Sequence, residues 1–116
     1  MIALAPLAAA REARVSATTR PATAILHDTA DLRLIVFRLA PGQAVPPHRS
    51  TSTVMLTVLE GAGVLSGGDD ERACAAGDVM VYDPEELHGM RATEGELLLL
   101  ATITPRPGER NAGARA

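Results

Sequence analysis

Histidines are the residues of this chain best suited to chemistry. The sequence has three of them, and two, His48 and His88, each follow a segment that contains proline. A neutral imidazole can bind a first-row divalent metal, or accept and donate hydrogen bonds, near neutral pH. The third, His27, stands beside Asp28 at the end of an early apolar run. It is either a third ligand or a histidine on a surface turn, and its position at the end of a run favours the turn.

Other reactive side chains have simpler interpretations. Cys74 lies in a short apolar run with no histidine near it in sequence, which favours a buried, inert thiol over a nucleophile. Glu85 and Glu86 precede His88 and could act as a general base or a metal ligand, although a solvated turn is favoured. Arg49 could bind the carboxylate of a substrate in a bidentate manner, with an exposed salt bridge as the alternative.

Composition excludes several classes of function. The 116 residues carry a formal charge of -3, and all eleven basic residues are arginine, so a lysine Schiff base is impossible. A phosphate backbone requires a basic surface, so no nucleic-acid partner is expected. The single phenylalanine, the single tyrosine and the absence of tryptophan leave no platform for stacking bases or sugars.

No membrane partner is expected either, because no run approaches the roughly 20 apolar residues that cross a bilayer. The apolar run 2–10 has no positive residue before it and is interrupted by Pro6, which argues against a signal peptide. The lone cysteine cannot form an internal disulfide, which suits a reducing compartment. We therefore expect a cytoplasmic protein.

From Ala22 onward, short apolar runs are separated by turn residues at intervals of about 8 to 12 positions, which is typical of an all-β sandwich or barrel. Glycine and proline supply the turns, and the segment from Gly67 to Asp70 predicts a hairpin. Eight strands are predicted: Ala22–His27, Leu32–Leu39, Val54–Leu59, Gly63–Ser66, Arg72–Ala75, Val79–Tyr82, Gly89–Ala92 and Glu96–Ile103.

This pattern divides the chain into three parts. Residues 1–20 form an arm, with either a short helix from about Leu7 to Val15 or an irregular path. Residues 21–104 form the barrel. Residues 105–116 lack periodicity, so we expect a disordered tail.

Two segments resemble the paired motifs of the cupin superfamily, whose fold is a double-stranded β-helix, a barrel of the jelly-roll type. Gly42, His48 and Gly61 fall at positions that match the first motif. Ser50 stands where that motif has its second histidine, and Val54 stands in place of its glutamate. The resemblance covers about residues 32–103.

The second motif is better preserved, since the run from Gly77 to His88 is similar to the family's glycine, strand, proline turn and histidine. A cupin metal site has three histidines and one glutamate, which suit Fe, Mn, Ni, Cu or Zn. Here the resemblance retains His48 and His88 alone. The ligand count favours a metal-free cavity, with a weakly held divalent metal at these two histidines as the alternative.

Strand periodicity sends Val54, Leu56 and Val58 into the barrel if the glutamate position faces inward. The predicted pocket consists of histidine and hydroxyl groups above an apolar wall. Its residues are His48, Ser50, Val54, Leu56, Met80, Tyr82, His88 and Met90. Ordinary core packing is the favoured alternative for the two methionines, and a wedge between the sheets is the alternative for Tyr82.

Three functions follow from this pocket: binding of a small molecule, metal-dependent catalysis of the dioxygenase or isomerase type, and a structural role in a dimer. The missing ligands favour binding, because oxygen activation requires a firmly held metal. The resemblance also implies a homodimer, in which the arm would cover exposed strand edges.

Overall fold

Antiparallel strands dominate the computed structural model, which describes residues 1–14 and 19–107. In chain order the elements are α1 (Pro6–Glu12), β1 (Ala22–Asp28), β2 (Arg33–Leu39), β3 (Ala44–His48), β4 (Thr53–Gly67), β5 (Asp70–Ala75), β6 (Val79–Tyr82) and β7 (His88–Thr104). The all-β prediction is confirmed. None of the described helices is long and apolar enough to span a membrane.

The two longest strands, β4 and β7, form the centre of the sheet. Its strand order is β1-β2-β7-β4-β5, with β3 added to β7 and β6 added to β4. The second half of β7 lies between β2 and β4, whereas its first half lies between β3 and β4. Each long strand therefore joins two differently flanked parts of the sheet.

The described residues contain seven strands where the sequence predicted eight, because two predicted pairs are continuous and one strand, β3, was not predicted. In β4 a predicted break falls at Gly61, which has a φ of 84° and lies between two register shifts against β7. A bulge bends a strand without ending it. In β7 the three residues 93–95, which separate two predicted strands, also continue the strand. The hairpin from Gly67 to Asp70 is confirmed as the β4–β5 connection.

Strand β3 was not predicted, because its Pro46 and Pro47 were interpreted as a turn. It pairs with β7 alone among the described strands, with a register shift between Val45 and His48. Proline lacks the N–H needed on a second side, so it is tolerated on an edge strand. The consequence is functional, since this strand carries His48.

Alternation along the strands builds the core of the barrel. Val54, Leu56 and Val58 are all at most 4% exposed and belong to one apolar cluster, which confirms the predicted inward face of β4. Leu39, Leu97 and Leu99 pack into the same cluster. Each fully buried leucine of this kind stabilises the fold by about 1.5 to 3 kcal/mol.

The arm contributes a helix to the outer face of its own sheet. In α1, Ala10 is fully buried against Val36 and Leu98, which face outward from the barrel. Seven residues cannot hold a helix alone, so this packing fixes it. Of the two alternatives for the arm, the structure contains the helix, over Pro6–Glu12. Ala13 is extended, so the helix ends before the expected Val15, which lies outside the described residues, as do residues 108–116 of the expected tail.

Arg38 anchors the end of this helix. Its Nη1 donates to the carbonyl oxygens of Arg11 and Ala13, at 2.8 and 3.4 Å, and its Nε donates to Glu96 at 2.7 Å. The last carbonyls of a helix have no partner within the helix, so these bonds satisfy them. Arg11 also pairs with Glu60. The arm is thus attached to its own barrel by both packing and charge.

Candidate functional site

A cavity of about 160 Å³ lies at one end of the barrel and is mostly apolar. Its walls are formed by Arg33, Ile35, Phe37, His48, Ser50, Val54, Leu56, His88, Met90, Ala101 and Ile103. The floor comes from the buried side chains of β4 and β7, and exposed His48 lies at the rim. An enclosed apolar space with few polar groups is the usual form of a small-molecule site.

Sheet register explains why these side chains converge. Ala101 of β7 is opposite Ile35 of β2 and opposite Leu56 of β4. Residues paired across antiparallel strands point to the same face, so all three side chains enter the same space. Arg33 and Phe37 flank Ile35 at intervals of two and share its face.

His48 and His88 meet at this end of the barrel. They are directly paired between β3 and β7, and their ring centroids lie 4.3 Å apart at an interplanar angle of 56°. The prediction that these two imidazoles are neighbours is confirmed. Their surroundings differ, because His88 is 4% exposed whereas His48 is exposed.

Both histidines are oriented by the backbone. The Nδ1 of His48 lies 3.1 Å from the carbonyl oxygen of Pro46, and the Nδ1 of His88 lies 3.1 Å from that of Glu86. A carbonyl can only accept, so each Nδ1 carries the proton. A neutral ring in this orientation has its lone pair on Nε2, where it can accept a hydrogen bond or bind a metal.

Burial controls the charge of His88. It lowers the pKa of this imidazole below its ordinary value, against the opposing effect of the bond to Glu86 and with a smaller contribution from neighbouring His48. Tyr82 packs behind His88, with ring centroids 5.1 Å apart. Burial, with the nearby Glu86 carboxylate, raises the pKa of Tyr82 to about 12. Near pH 7 both groups are neutral.

The family to which this architecture belongs is identified by sequence. A family model described as the cupin domain matches residues 35–103. The chain belongs to the cupin family. This match contains both histidines of the cavity and confirms the predicted resemblance.

Solved cupin structures share the fold. An RmlC-like cupin protein from Desulfovibrio desulfuricans is 29% identical, with a TM-score of 0.71 over 81% of this chain and 91% of that one. A Klebsiella pneumoniae protein with a double-stranded β-helix domain is 20% identical, with a TM-score of 0.76 over 83% and 86%. The DMSP lyase DddQ from Ruegeria pomeroyi is 18% identical, with a TM-score of 0.70 over 84% and 54%. These likenesses confirm the double-stranded β-helix fold. A search of curated protein sequences finds no match.

Members of the cupin family often bind metal ions. The cupin metal site described above has four ligands, and this chain retains two of them, His48 and His88. Ser50 and Val54 line the cavity, where a second histidine and a glutamate would complete the set. No group of three or more histidine, cysteine, aspartate or glutamate side chains that could hold a metal occurs among residues 1–14 and 19–107. The residues present therefore do not fit a four-ligand metal centre, although the two Nε2 atoms could provide two ligands.

Six of the eight predicted pocket residues line the cavity: His48, Ser50, Val54, Leu56, His88 and Met90. Met80 and Tyr82 do not line it. Tyr82 packs in the core behind His88, and Met80 packs against the same core. Both also border a larger, more open groove of about 540 Å³ beside the β4–β5 hairpin.

The other candidate side chains have structural roles. Glu86 accepts a hydrogen bond from the backbone N–H of Asp83 at 3.0 Å, which closes the turn before His88. His27 lies on β1 and Arg49 is exposed, and neither lines the cavity. Cys74 is buried in the core, and burial raises its thiol pKa.

Arg33 is the polar cavity residue that sequence reasoning missed. Its signal was present, since strand periodicity places it on the inward face with Ile35 and Phe37. The apolar residues Ala101 and Ile103 were missed in the same way. They belong to the long apolar run that ends β7, where buried residues occur on both faces and alternation is hidden.

Proposed function

We propose that this cupin binds a small organic molecule in the barrel cavity, without catalysing its conversion. The observation that carries the proposal is the mostly apolar cavity whose wall contains the imidazoles of His48 and His88, each with its Nδ1 held by a backbone carbonyl. Apolar walls favour burial of an apolar ligand, and the histidine pair accepts hydrogen bonds that fix its orientation. The incomplete ligand set supports binding over redox chemistry.

Methionine NMR offers a direct test, because Met90 lines the cavity whereas Met55 and Met80 do not. Toluene added to protein labelled with [13C]methyl-methionine should shift the Met90 signal and leave the other methionines nearly unchanged. The neutral probe tests the cavity without presuming any charge on the natural ligand.

A filled cavity provides the matched comparison. Ala101 is 2% exposed and lines the wall, so Ala101→Leu should occupy the space and abolish the Met90 shift. Ala73→Leu makes the same change at an exposed position of β5 and should respond like the parent. If toluene shifts Met90 equally in all three proteins, or in none, the binding proposal fails.

Metal-dependent catalysis is the second candidate, favoured by the adjacent imidazoles of His48 and His88. Such an enzyme would require a metal whose remaining ligands are water or substrate. Metal analysis of protein purified without a histidine tag separates the two functions. One tightly held transition metal per chain would favour catalysis, and metal-free protein that binds toluene supports binding.

We also propose that the chain forms a homodimer. Among the described strands β6 pairs with β4 alone, and it exposes Val79 and Val81 at 48% and 62%. A second copy could cover this apolar surface. Light scattering at high micromolar concentration should give twice the chain mass, and Val81→Lys should lower it while Ala73→Lys does not. A monomeric parent would contradict the proposal.

A further inference from the structure

Arg33 is the charged side chain in the wall of the cavity. It is the first residue of β2 and shares the inward face with Ile35 and Phe37, and its side chain is 26% exposed. A guanidinium is always charged near neutral pH, so its place on a mostly apolar wall requires a partner. The partners of the Arg33 guanidinium therefore indicate which ligand groups the cavity can bind.

The partner within the chain is Asp28, at the end of β1. The Nε and Nη2 of Arg33 lie 3.3 and 3.4 Å from its two carboxylate oxygens, which is longer than a strong charge-assisted bond. Asp28 also lies 3.6 Å from Arg106. Arg33 therefore shares a carboxylate through long contacts, and its planar group could bind another anion in bidentate fashion.

The polar side chains of the cavity wall also differ in charge, since Arg33 is cationic and buried His88 is neutral. His48 and His88 each hold their Nδ1 against a backbone carbonyl, and burial keeps the His88 ring neutral, with its lone pair on Nε2. Lone pairs repel a carboxylate, whereas a guanidinium attracts one. An anionic ligand group is therefore expected at Arg33 and not at the histidine pair.

The size of the cavity limits the ligand body. Its volume is about 160 Å³. An apolar protein cavity of about 150 Å³ accommodates benzene. One six-membered ring, or an aliphatic group of similar size, fills the space against Phe37, Leu56 and Met90.

We infer that the ligand is a small monocarboxylic acid whose carboxylate pairs with Arg33 at the rim and whose apolar body fills the cavity beneath it. A phosphate group is disfavoured, because it brings up to two negative charges to a guanidinium that Asp28 already partly neutralises. This inference rests on the proposed binding function and names the class of ligand.

Benzoate and its neutral isostere benzamide are the probes, titrated at pH 7.5 and followed through the Met90 methyl signal. Benzoate should bind at least about 10-fold more tightly than benzamide, since a hydrogen bond to a charged group is worth this ratio or more. Phenylphosphonate should bind more weakly than benzoate. Equal affinities for benzoate and benzamide, or tighter phenylphosphonate binding, would overturn the carboxylate assignment.

Two variants should change the affinity for benzoate in opposite directions. Arg33→Met keeps the side-chain length and removes the charge, so it should weaken benzoate binding by about 10- to 100-fold and leave toluene binding intact. Asp28→Asn keeps the shape and frees Arg33, so it should tighten benzoate binding several-fold. A merely structural Arg33–Asp28 pair predicts weaker binding in both variants, and that result would refute the inference.

Arg91→Met is the matched control. Arg91 is exposed on β7, lies outside the cavity wall and has one long ion pair with Glu71, at 3.4 Å. The Arg91→Met variant should bind benzoate with the same affinity as the parent. If toluene binds but benzoate gains nothing from Arg33, the inference fails and the binding function stands. If neither probe binds, both fail.

Discussion

His48 and His88 are paired directly across β3 and β7, with ring centroids 4.3 Å apart, yet one ring is exposed and the other is 4% exposed. The difference arises because β3 is an edge strand at the rim, whereas β7 runs through the barrel. Two imidazolium ions this close would repel each other. Burial and the neighbouring His48 ring both lower the pKa of His88, so the buried ring resists protonation.

Stability should fall in acid because of His88. Burial lowers its pKa in the folded state, so below the unfolded-state value of about 6.5 the unfolded chain binds a proton that the folded chain does not. The free energy of unfolding should then decrease as pH falls, by up to about 1.4 kcal/mol per pH unit, until the folded-state pKa is passed.

Urea unfolding at pH 7.5 and 5.5 measures this decrease. His88→Gln should reduce the difference between the two pH values, because the titrating group is gone. His27→Gln removes a histidine outside the cavity and should keep the difference seen in the parent. An unchanged difference in His88→Gln would contradict the assignment.

The comparison between sequence and structure shows which features alternation can reveal. Val54 and Leu56 were assigned correctly, because buried and more exposed residues alternate along β4 with a period of two. Strand β3 was missed, because a Pro-Pro pair looks like a turn unless its edge position is known. Arg33 was missed as a site residue, because alternation indicates its inward face but only the three-dimensional structure shows that this face of β2 lines the same cavity as the histidine pair.

Gly61 should be required by the bend in β4. Its φ is 84°, and a Cβ at this position would overlap the carbonyl oxygen of Glu96 on β7. Gly61→Ala should therefore lower the free energy of unfolding by at least about 2 kcal/mol. Gly95→Ala, where a Cβ meets nothing within 4 Å, is the control and should change stability by less than about 1 kcal/mol. Equal losses of stability in Gly61→Ala and Gly95→Ala, measured by urea unfolding, would show that position 61 does not require glycine for steric reasons.

Attachment of α1 should depend on the face that carries Ala10. Ala10 is 0% exposed against Val36 and Leu98, so Ala10→Arg should detach the helix and expose the outer apolar face of the sheet. Binding of the dye ANS should increase, and amide exchange in residues 6–12 should accelerate. Ala8→Arg places the same side chain on the exposed side of α1 and should do neither. Detachment in both variants would mean that helix propensity, and not packing, holds the arm.

The wall positions Ser50 and Val54 test whether this cupin retains the geometry of a metal centre. Both line the same cavity as His48 and His88. With two histidines alone, the parent should bind zinc or manganese weakly and lose it readily to a chelator, because water must fill the remaining positions. Ser50→His combined with Val54→Glu supplies the missing groups and should raise metal affinity by orders of magnitude.

The same double substitution should destabilise the metal-free protein. Val54 is 4% exposed, so a glutamate there buries a charge against apolar neighbours, and metal binding should restore the lost stability. The pair Ser50→Asn with Val54→Gln, polar but poor in ligands, is the control and should show no metal-dependent rise in Tm. Thermal melts with and without zinc measure this rise in Tm for the parent and both double variants. If the double variant gains no stability from metal, its four side chains do not converge, whereas a large gain in the parent would mean that two histidines and solvent suffice.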